Sequence, residues 1–292
     1  MKNLSAYFLI TRPLNVLIAG ISILLAAGLV RPFVFSANVV CALLAGMLIT
    51  AGANVINDVY DVAIDRINKP GRMLPSGRMN IASARRYAIF LFASGVIFSI
   101  FASLAGAVIA CATSVLLIAY SIWLKRQPLT GNLAVSLATA LSFIFGALAA
   151  AEGAKALHQT ELPFGDWRPG IFPAVFSFLF HFGREVVKDI EDQAGDRAVG
   201  AQTLPLAWGM RAAQIVASMA FILLAGVVLL PHVLGVYHAP YLWLILLGVY
   251  PVIGFAMFQL WKNPDAARMR LTSGLLKADM LVGLLAIYAG SW

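Results

Sequence analysis

The sequence predicts an all-α protein that crosses a membrane nine times, with its helices grouped around a central polar cavity. Three observations carry this expectation. The 292 residues are 61% hydrophobic and 12% charged, against roughly 25% charged residues in a soluble domain. The mean hydropathy is +0.87. Apolar stretches of the roughly 20 residues needed to span a bilayer recur along the whole length, which a single cleaved leader does not explain.

The predicted spans cover residues 14–30, 37–57, 87–105, 107–124, 132–151, 171–188, 212–230, 240–261 and 273–290, the third and fourth forming a tight pair. With the N-terminus in the cytoplasm, 18 of the 21 Lys and Arg residues fall on the cytoplasmic side, leaving Arg31, Lys155 and Arg168 opposite. That asymmetry follows the positive-inside rule and supports the nine-span count independently of hydropathy. The chain reads as one transmembrane domain over 1–292, in the cell membrane.

The net charge of +8 sits in short loops beside spans. Anionic headgroups and phosphorylated substrates are the expected partners there, and nothing resembles a nucleic-acid reading module. Cys41 and Cys111 fall inside predicted spans, so neither a disulfide framework nor a zinc site is indicated. They are expected to be small core residues.

Eight of the thirteen acidic residues occur in two places, both at cytoplasmic ends of spans: Asp58, Asp61 and Asp65, then Glu185, Asp189, Glu191, Asp192 and Asp196. Ionisable groups at membrane depth are costly and face polar cavities. At about 100° per residue, one helix would bring Asn54, Asp58, Asp61 and Asp65 onto a single stripe with Asn57 at its edge. The same spacing aligns Glu185, Asp189, Asp192 and Asp196, with Arg184 and Lys188 on a flanking face. Gly195 is a candidate helix end.

Carboxylates lined up on one stripe repel one another unless cations sit among them. Hard oxygen donors without Cys or His favour Mg2+ or Ca2+. Mg2+ uses one or two carboxylates and completes its shell with water and phosphate oxygens, so the two clusters read as a clamp for a diphosphate. The alternative is a pair of solvated helix ends neutralised by nearby Arg and Lys.

After the first cluster, residues 68–78 are dense in Pro, Gly and cations, a helix-breaking loop with anion-binding potential. Lys69, Arg72 and Arg78 are candidate phosphate contacts, Arg through a bidentate fork and Lys as a point charge. Each is equally compatible with a loop that only fixes topology.

At these residues the chain resembles the UbiA superfamily of intramembrane prenyltransferases, whose signatures have the forms NxxxDxxxD and DxxxD. Here they read Asn54/Asp58 through Asp65, and Asp192 to Asp196. The resemblance covers essentially the whole chain, and the superfamily has nine transmembrane helices with both motifs on the cytoplasmic side. The fuller strings 54–70 and 183–197, with Arg12-Pro-Leu-Asn15 and the Lys125-Arg126 to Gly131-Asn132 connection, are most similar to its digeranylgeranylglyceryl phosphate synthases. Met73 stands where many members have Pro, and Tyr120 lies five residues before Lys125 where some members have four.

The resemblance implies transfer of a geranylgeranyl group from its diphosphate to the hydroxyl of geranylgeranylglyceryl phosphate, making an ether lipid. In that scheme Mg2+ bridges the diphosphate to Asp58, Asp61, Asp65, Asp189, Asp192 and Asp196, the catalytic and metal residues. Asn54 and Asn57 orient metal or diphosphate. Lys69, Arg72, Lys125, Arg126, Arg184 and Lys188 are the substrate-binding cations, for the diphosphate or the acceptor phosphate. His181, one turn before Glu185, is a candidate base or a helix-contact residue, and His158, His232 and His238 are structural. Phe90, Phe92, Phe98, Phe101, Phe143 and Phe145 are candidates to line a prenyl tunnel.

Two rival readings stand beside this one. An aromatic acceptor, as in quinone, haem or chlorophyll pathways, keeps the chemistry and changes the product. A cation or lipid-phosphate transporter also uses membrane carboxylates, but the clusters fall on spans two and six with no evident duplication of halves.

Overall fold

The computed structural model describes residues 2–31, 33–158 and 166–292, so His158 lies at its edge. The described residues are helical and contain no strand. In chain order the helices are α1 (Lys2–Ile10), α2 (Pro13–Leu29), α3 (Ala37–Tyr60), α4 (Val62–Asn68), α5 (Ile81–Ala102), α6 (Leu104–Ile122), α7 (Thr130–His158) and α8 (Ile171–Ala198). They continue with the short α9 (Leu204–Ala207), α10 (Met210–Val227), α11 (Leu230–Val233), α12 (Ala239–Leu244), α13 (Tyr250–Lys262) and α14 (Ala266–Gly290).

Eight of these segments are long and apolar enough to cross a membrane, so the chain is a multi-pass membrane protein. The expected span 14–30 corresponds to α2, which is only 17 residues long. Pro13 occupies its first turn, where the missing N–H costs nothing, and Val30 is extended at its end. At about 1.5 Å per residue such a helix is a few ångströms short of a bilayer core of about 30 Å. The expected tight pair is α5 and α6. They are joined through Ser103 alone, whose hydroxyl caps α6 by accepting from the Gly106 amide at 2.9 Å.

Contacts gather into two compact units, Met1–Leu124 with Leu141–Ala174, and Lys125–Ala140 with Val175–Trp292. Both α7 and α8 run from one unit into the other. In the first unit α3 packs on α2, α5 and α6. Its core joins Ile49, Val55 and Ile56 of α3 to Ala88, Leu91 and Phe92 of α5, and to Leu74 and Met79 from the loop after α4. Those two apolar loop residues pin the basic segment to the core. Close approach uses small residues, as in membrane helix pairs: a Cβ at Gly146 would lie 2.3 Å from the Ile23 carbonyl oxygen.

In the second unit, polar side chains bond between helices inside the apolar interior. Gln214 Nε2 donates to Leu260 O at 2.8 Å, Trp261 Nε1 to Ser218 Oγ at 2.9 Å, and Tyr241 OH to Val228 O at 2.6 Å. A π-helical turn, Ile245–Val249, joins α12 to α13. Gly183, one residue before Arg184, admits the fully buried Phe221 ring, which a Cβ there would approach to 2.7 Å.

Three expectations change. The stripe Asn54–Asp65 is not on one helix, because α3 ends at Tyr60 and Asp61 takes a bridging conformation before α4. The i→i−4 bonds Asp61 N to Asn57 O and Asp65 N to Asp61 O persist across the break, so these amides stay paired there. Gly195 does not end α8, which continues to Ala198 and carries Asp196 in its last turns. Cys111 is exposed on α6 and not in the core.

Candidate active site

The first acidic cluster lies wholly in the first unit. Asp58 and Asp65 are buried, each 3% exposed, while Asp61 between them is half-buried. The break at Asp61 does not separate the flanking carboxylates. Arg72 Nη1 stands 2.6 Å from Asp65 Oδ2 and 3.4 Å from Asp58 Oδ1. Arg12 also pairs with Asp58 Oδ1. Asp61 accepts from Asn57 Nδ2 at 2.8 Å. Two buried carboxylates seven residues apart therefore converge on one cation, an arrangement stable only while that positive charge is supplied.

Asp65 lies outside the spans, and its carboxyl is held above the usual carboxylate range. Burial is the main cause, opposed by Arg72 and reinforced by Asp61 and Asp58. Arg72 is held above its usual value despite burial, because Asp58 and Asp65 stabilise its charge.

The loop that delivers Arg72 is built of turns. Arg72 N donates to Lys69 O, Ser76 N to Arg72 O and Gly77 N to Leu74 O, and Gly77 supplies a φ of 72°. Arg78, a candidate phosphate contact, ties the loop to itself by donating to Ser76 Oγ at 2.9 Å and to Gly71 O. Lys69 is half-buried beside it.

Arg12 is a cation of the cluster that sequence spacing missed, being 46 residues from its partner. It sits between α1 and α2 at φ 55°, ψ 72°, left-handed for a non-glycine residue and directly before Pro13. Such a conformation costs about 1–3 kcal/mol and is kept where the surroundings impose it. Asn54 does not point to a free position: its Nδ2 donates to Thr11 O at 2.8 Å and its Oδ1 accepts from Asn15 Nδ2 at 3.4 Å.

The second cluster lies wholly in the second unit. Asp189 Oδ2 accepts from Asn132 Nδ2 at 2.9 Å, and Asn132 is buried in the first turn of α7. Asp196 Oδ2 accepts from Thr203 Oγ1 at 3.3 Å. Asn132 and Thr203 are partners that the sequence pattern alone did not single out. Glu185 is paired with Lys188 Nζ at 2.8 Å and Arg184 Nη1 at 3.4 Å. Arg184 Nε also donates to Ser273 O of α14 at 3.2 Å, and Glu191 meets Arg270 at 3.3 Å. Asp192 is half-buried. Lys125 and Arg126 form a 3-10 turn, and Gln202 N donates to Arg126 O at 2.8 Å.

His181 Nδ1 bonds Ser177 O, one turn earlier on the same helix, at 2.8 Å. His232 Nδ1 bonds Tyr237 O at 2.9 Å. Among the tunnel candidates, Phe90 and Phe101 are more than 60% exposed and face outward, whereas Phe92, Phe143 and Phe145 are buried.

The donor set suits a hard cation. The clustered carboxylates offer oxygen alone, and Asp58 and Asp65 already share one positive group. Among the described residues no three His, Cys, Asp or Glu side chains close on a point by themselves. A Mg2+ that takes one or two carboxylates and fills its shell with water and phosphate needs no such trio.

The family model for the UbiA prenyltransferase family matches residues 15–278, most of the chain and both clusters. The chain belongs to that family. This prenyltransferase is 34% identical over 292 residues to a digeranylgeranylglyceryl phosphate synthase of Methanothermobacter thermautotrophicus, covering 99% of the chain and 96% of the relative. A solved structure of a digeranylgeranylglyceryl phosphate synthase in membranes has a TM-score of 0.76 at 28% identity, covering 100% of this chain and 99% of that one. A UbiA homolog from Archaeoglobus fulgidus, solved with GPP and Mg2+, shares the fold at a TM-score of 0.66 and 16% identity, over 97% and 99% of the two chains.

Proposed function

We propose that this prenyltransferase moves a geranylgeranyl group from geranylgeranyl diphosphate to the free hydroxyl of geranylgeranylglyceryl phosphate, forming an ether lipid. The observation that carries the acceptor is the end-to-end similarity to a relative named for that product. The donor chemistry is supported by the convergence of buried Asp58 and Asp65 on one cation and by a homolog solved with GPP and Mg2+.

Asp58, Asp61 and Asp65 in one cluster and Asp189, Asp192 and Asp196 in the other are the proposed oxygen donors to Mg2+. Bound there, the metal neutralises charge that develops on the leaving diphosphate. Asn57 orients Asp61, and Asn132 fixes the rotamer of Asp189. Lys69, Arg72, Lys125, Arg126, Arg184 and Lys188 are assigned to phosphate oxygens of the donor or acceptor. Of these, Arg72, Arg184 and Lys188 also pair with carboxylates of the two clusters. The allylic carbon–oxygen bond breaks with its electron pair leaving on the diphosphate, the acceptor oxygen bonds to that carbon, and its proton is released. Apolar walls that include Phe92, Phe143 or Phe145 keep water from the allylic cation.

The site faces the cytoplasm, which hydrates the phosphate headgroups of the two substrates while their prenyl chains stay in the bilayer, and α2 completes a ninth crossing. Membranes given labelled geranylgeranyl diphosphate, Mg2+ and a panel of geranylgeranylglyceryl phosphate, 4-hydroxybenzoate and dihydroxynaphthoate test the assignment. Labelled ether lipid is the expected product. Product from an aromatic acceptor alone overturns the acceptor and leaves the diphosphate chemistry standing.

A further inference from the structure

The signature spacing puts Asn54 one turn before Asp58, which invites the reading that it binds metal or diphosphate directly. The contacts of its side chain point elsewhere. Its amide nitrogen donates to the Thr11 carbonyl at 2.8 Å, and its amide oxygen accepts from Asn15 at 3.4 Å. Both atoms are engaged by the turn between α1 and α2.

That turn has an unusual need for support. Arg12 is left-handed at φ 55°, and the proline that follows disfavours helical conformations for it. Asn15 N and Val16 N both donate to Arg12 O, so the preceding carbonyl, Thr11 O, takes its donor from Asn54. Thr11 is 8% exposed, and a buried carbonyl without a donor is destabilising. The turn in turn aims the Arg12 guanidinium at Asp58 Oδ1, the oxygen that Arg72 also approaches.

We propose that Asn54 is a positioning residue that acts on the reaction through Arg12, by holding the Thr11–Arg12 turn so that this guanidinium reaches Asp58. Arg12 sets the rotamer of Asp58, and Asn54 sets Arg12 through Thr11 O. The inference rests on the diphosphate chemistry proposed above.

The variant that separates direct ligation from positioning is Asn54→Asp. A carboxylate is a better Mg2+ ligand than an amide oxygen, so a directly ligating residue would tolerate it and require less Mg2+. A carboxylate cannot donate to Thr11 O, so a positioning residue would not tolerate it. The account expects Asn54→Asp, Asn54→Ala and Arg12→Ala each to lower kcat/KM for geranylgeranyl diphosphate by about tenfold, chiefly through KM. The double variant Arg12→Ala/Asn54→Ala should then lie within about twofold of Arg12→Ala alone, as coupled neighbours do. Amide exchange at Asn15 and Val16, read without turnover, should quicken in both Asn54 variants. Should Asn54→Ala not fold, Asn15→Ala gives a smaller loss of the same kind, again absent in the Arg12→Ala background.

Multiplicative losses in the double variant, or an Asn54→Asp enzyme with normal turnover at lower Mg2+, would overturn the proposal. A wild-type protein that releases no diphosphate overturns the parent reading instead, and the exchange measurement still decides whether Asn54 holds the turn.

Discussion

Arg72 donates to Asp65 across 2.6 Å, from a loop that Leu74 and Met79 anchor in the core of the first unit. The same nitrogen approaches Asp58, so one side chain links the two carboxylates across the helix break at Asp61. Removing it leaves Asp65 buried without its cation. Arg72→Ala should cost about 3 kcal/mol of stability, the scale of a broken buried ion pair. It should also raise KM for the diphosphate donor more than it lowers kcat. Thermal unfolding in detergent and steady-state kinetics read the two effects. Unchanged stability would mean that the pair is not formed in solution.

The fold and the first site were legible in the sequence to different degrees. Hydropathy located every long helix, because bilayer thickness imposes the length of an apolar run. It counted α2 with the others, although the helix stops at 17 residues. The aspartates announced themselves by being few and clustered. Arg12 did not, because its link to Asp58 spans 46 residues and depends on a left-handed turn that no periodicity encodes. Asn132 was hidden for the same reason, at 57 residues from Asp189, and Thr203 because it meets Asp196 from beyond the end of α8 at Ala198, where helical spacing no longer applies. The single-helix stripe failed at Asp61 because helical spacing says which residues can share a face, not whether the helix continues.

The raised carboxyl of Asp65 has a defined pH signature. A group whose folded-state pKa exceeds its unfolded value contributes stability that is fully present below the unfolded value and lost as pH rises through the folded one. The stability difference between wild type and Asp65→Asn should therefore favour wild type most in acid and shrink as pH climbs past the usual carboxylate range. Unfolding curves for both proteins across that range, in one detergent, give the comparison. A difference that grows with pH would show that the Arg72 pairing outweighs burial at this carboxyl.

Asp279 lies on α14, is 3% exposed, and neither of its carboxylate oxygens has a hydrogen-bond partner among the described residues. A buried carboxyl without a partner is a standing cost inside a membrane bundle. Asp279→Leu, similar in size and apolar, should raise the midpoint of thermal unfolding by an amount corresponding to about 1–3 kcal/mol. A lowered midpoint would mean that the carboxyl is satisfied by water or lipid in the membrane.

The account rests on the aspartates as the Mg2+-diphosphate site, and the most direct measurement is Mg2+-dependent diphosphate release from geranylgeranyl diphosphate by purified Asp58→Ala and Asp192→Ala proteins, in the presence of acceptor. Both variants should fold, Asp58→Ala with a lowered unfolding midpoint because it breaks the pairs with Arg12 and Arg72, and both should release diphosphate at less than about a hundredth of the wild-type rate, the scale of losing a group that stabilises transition-state charge. Folded variants that turn over at near wild-type rates would contradict it.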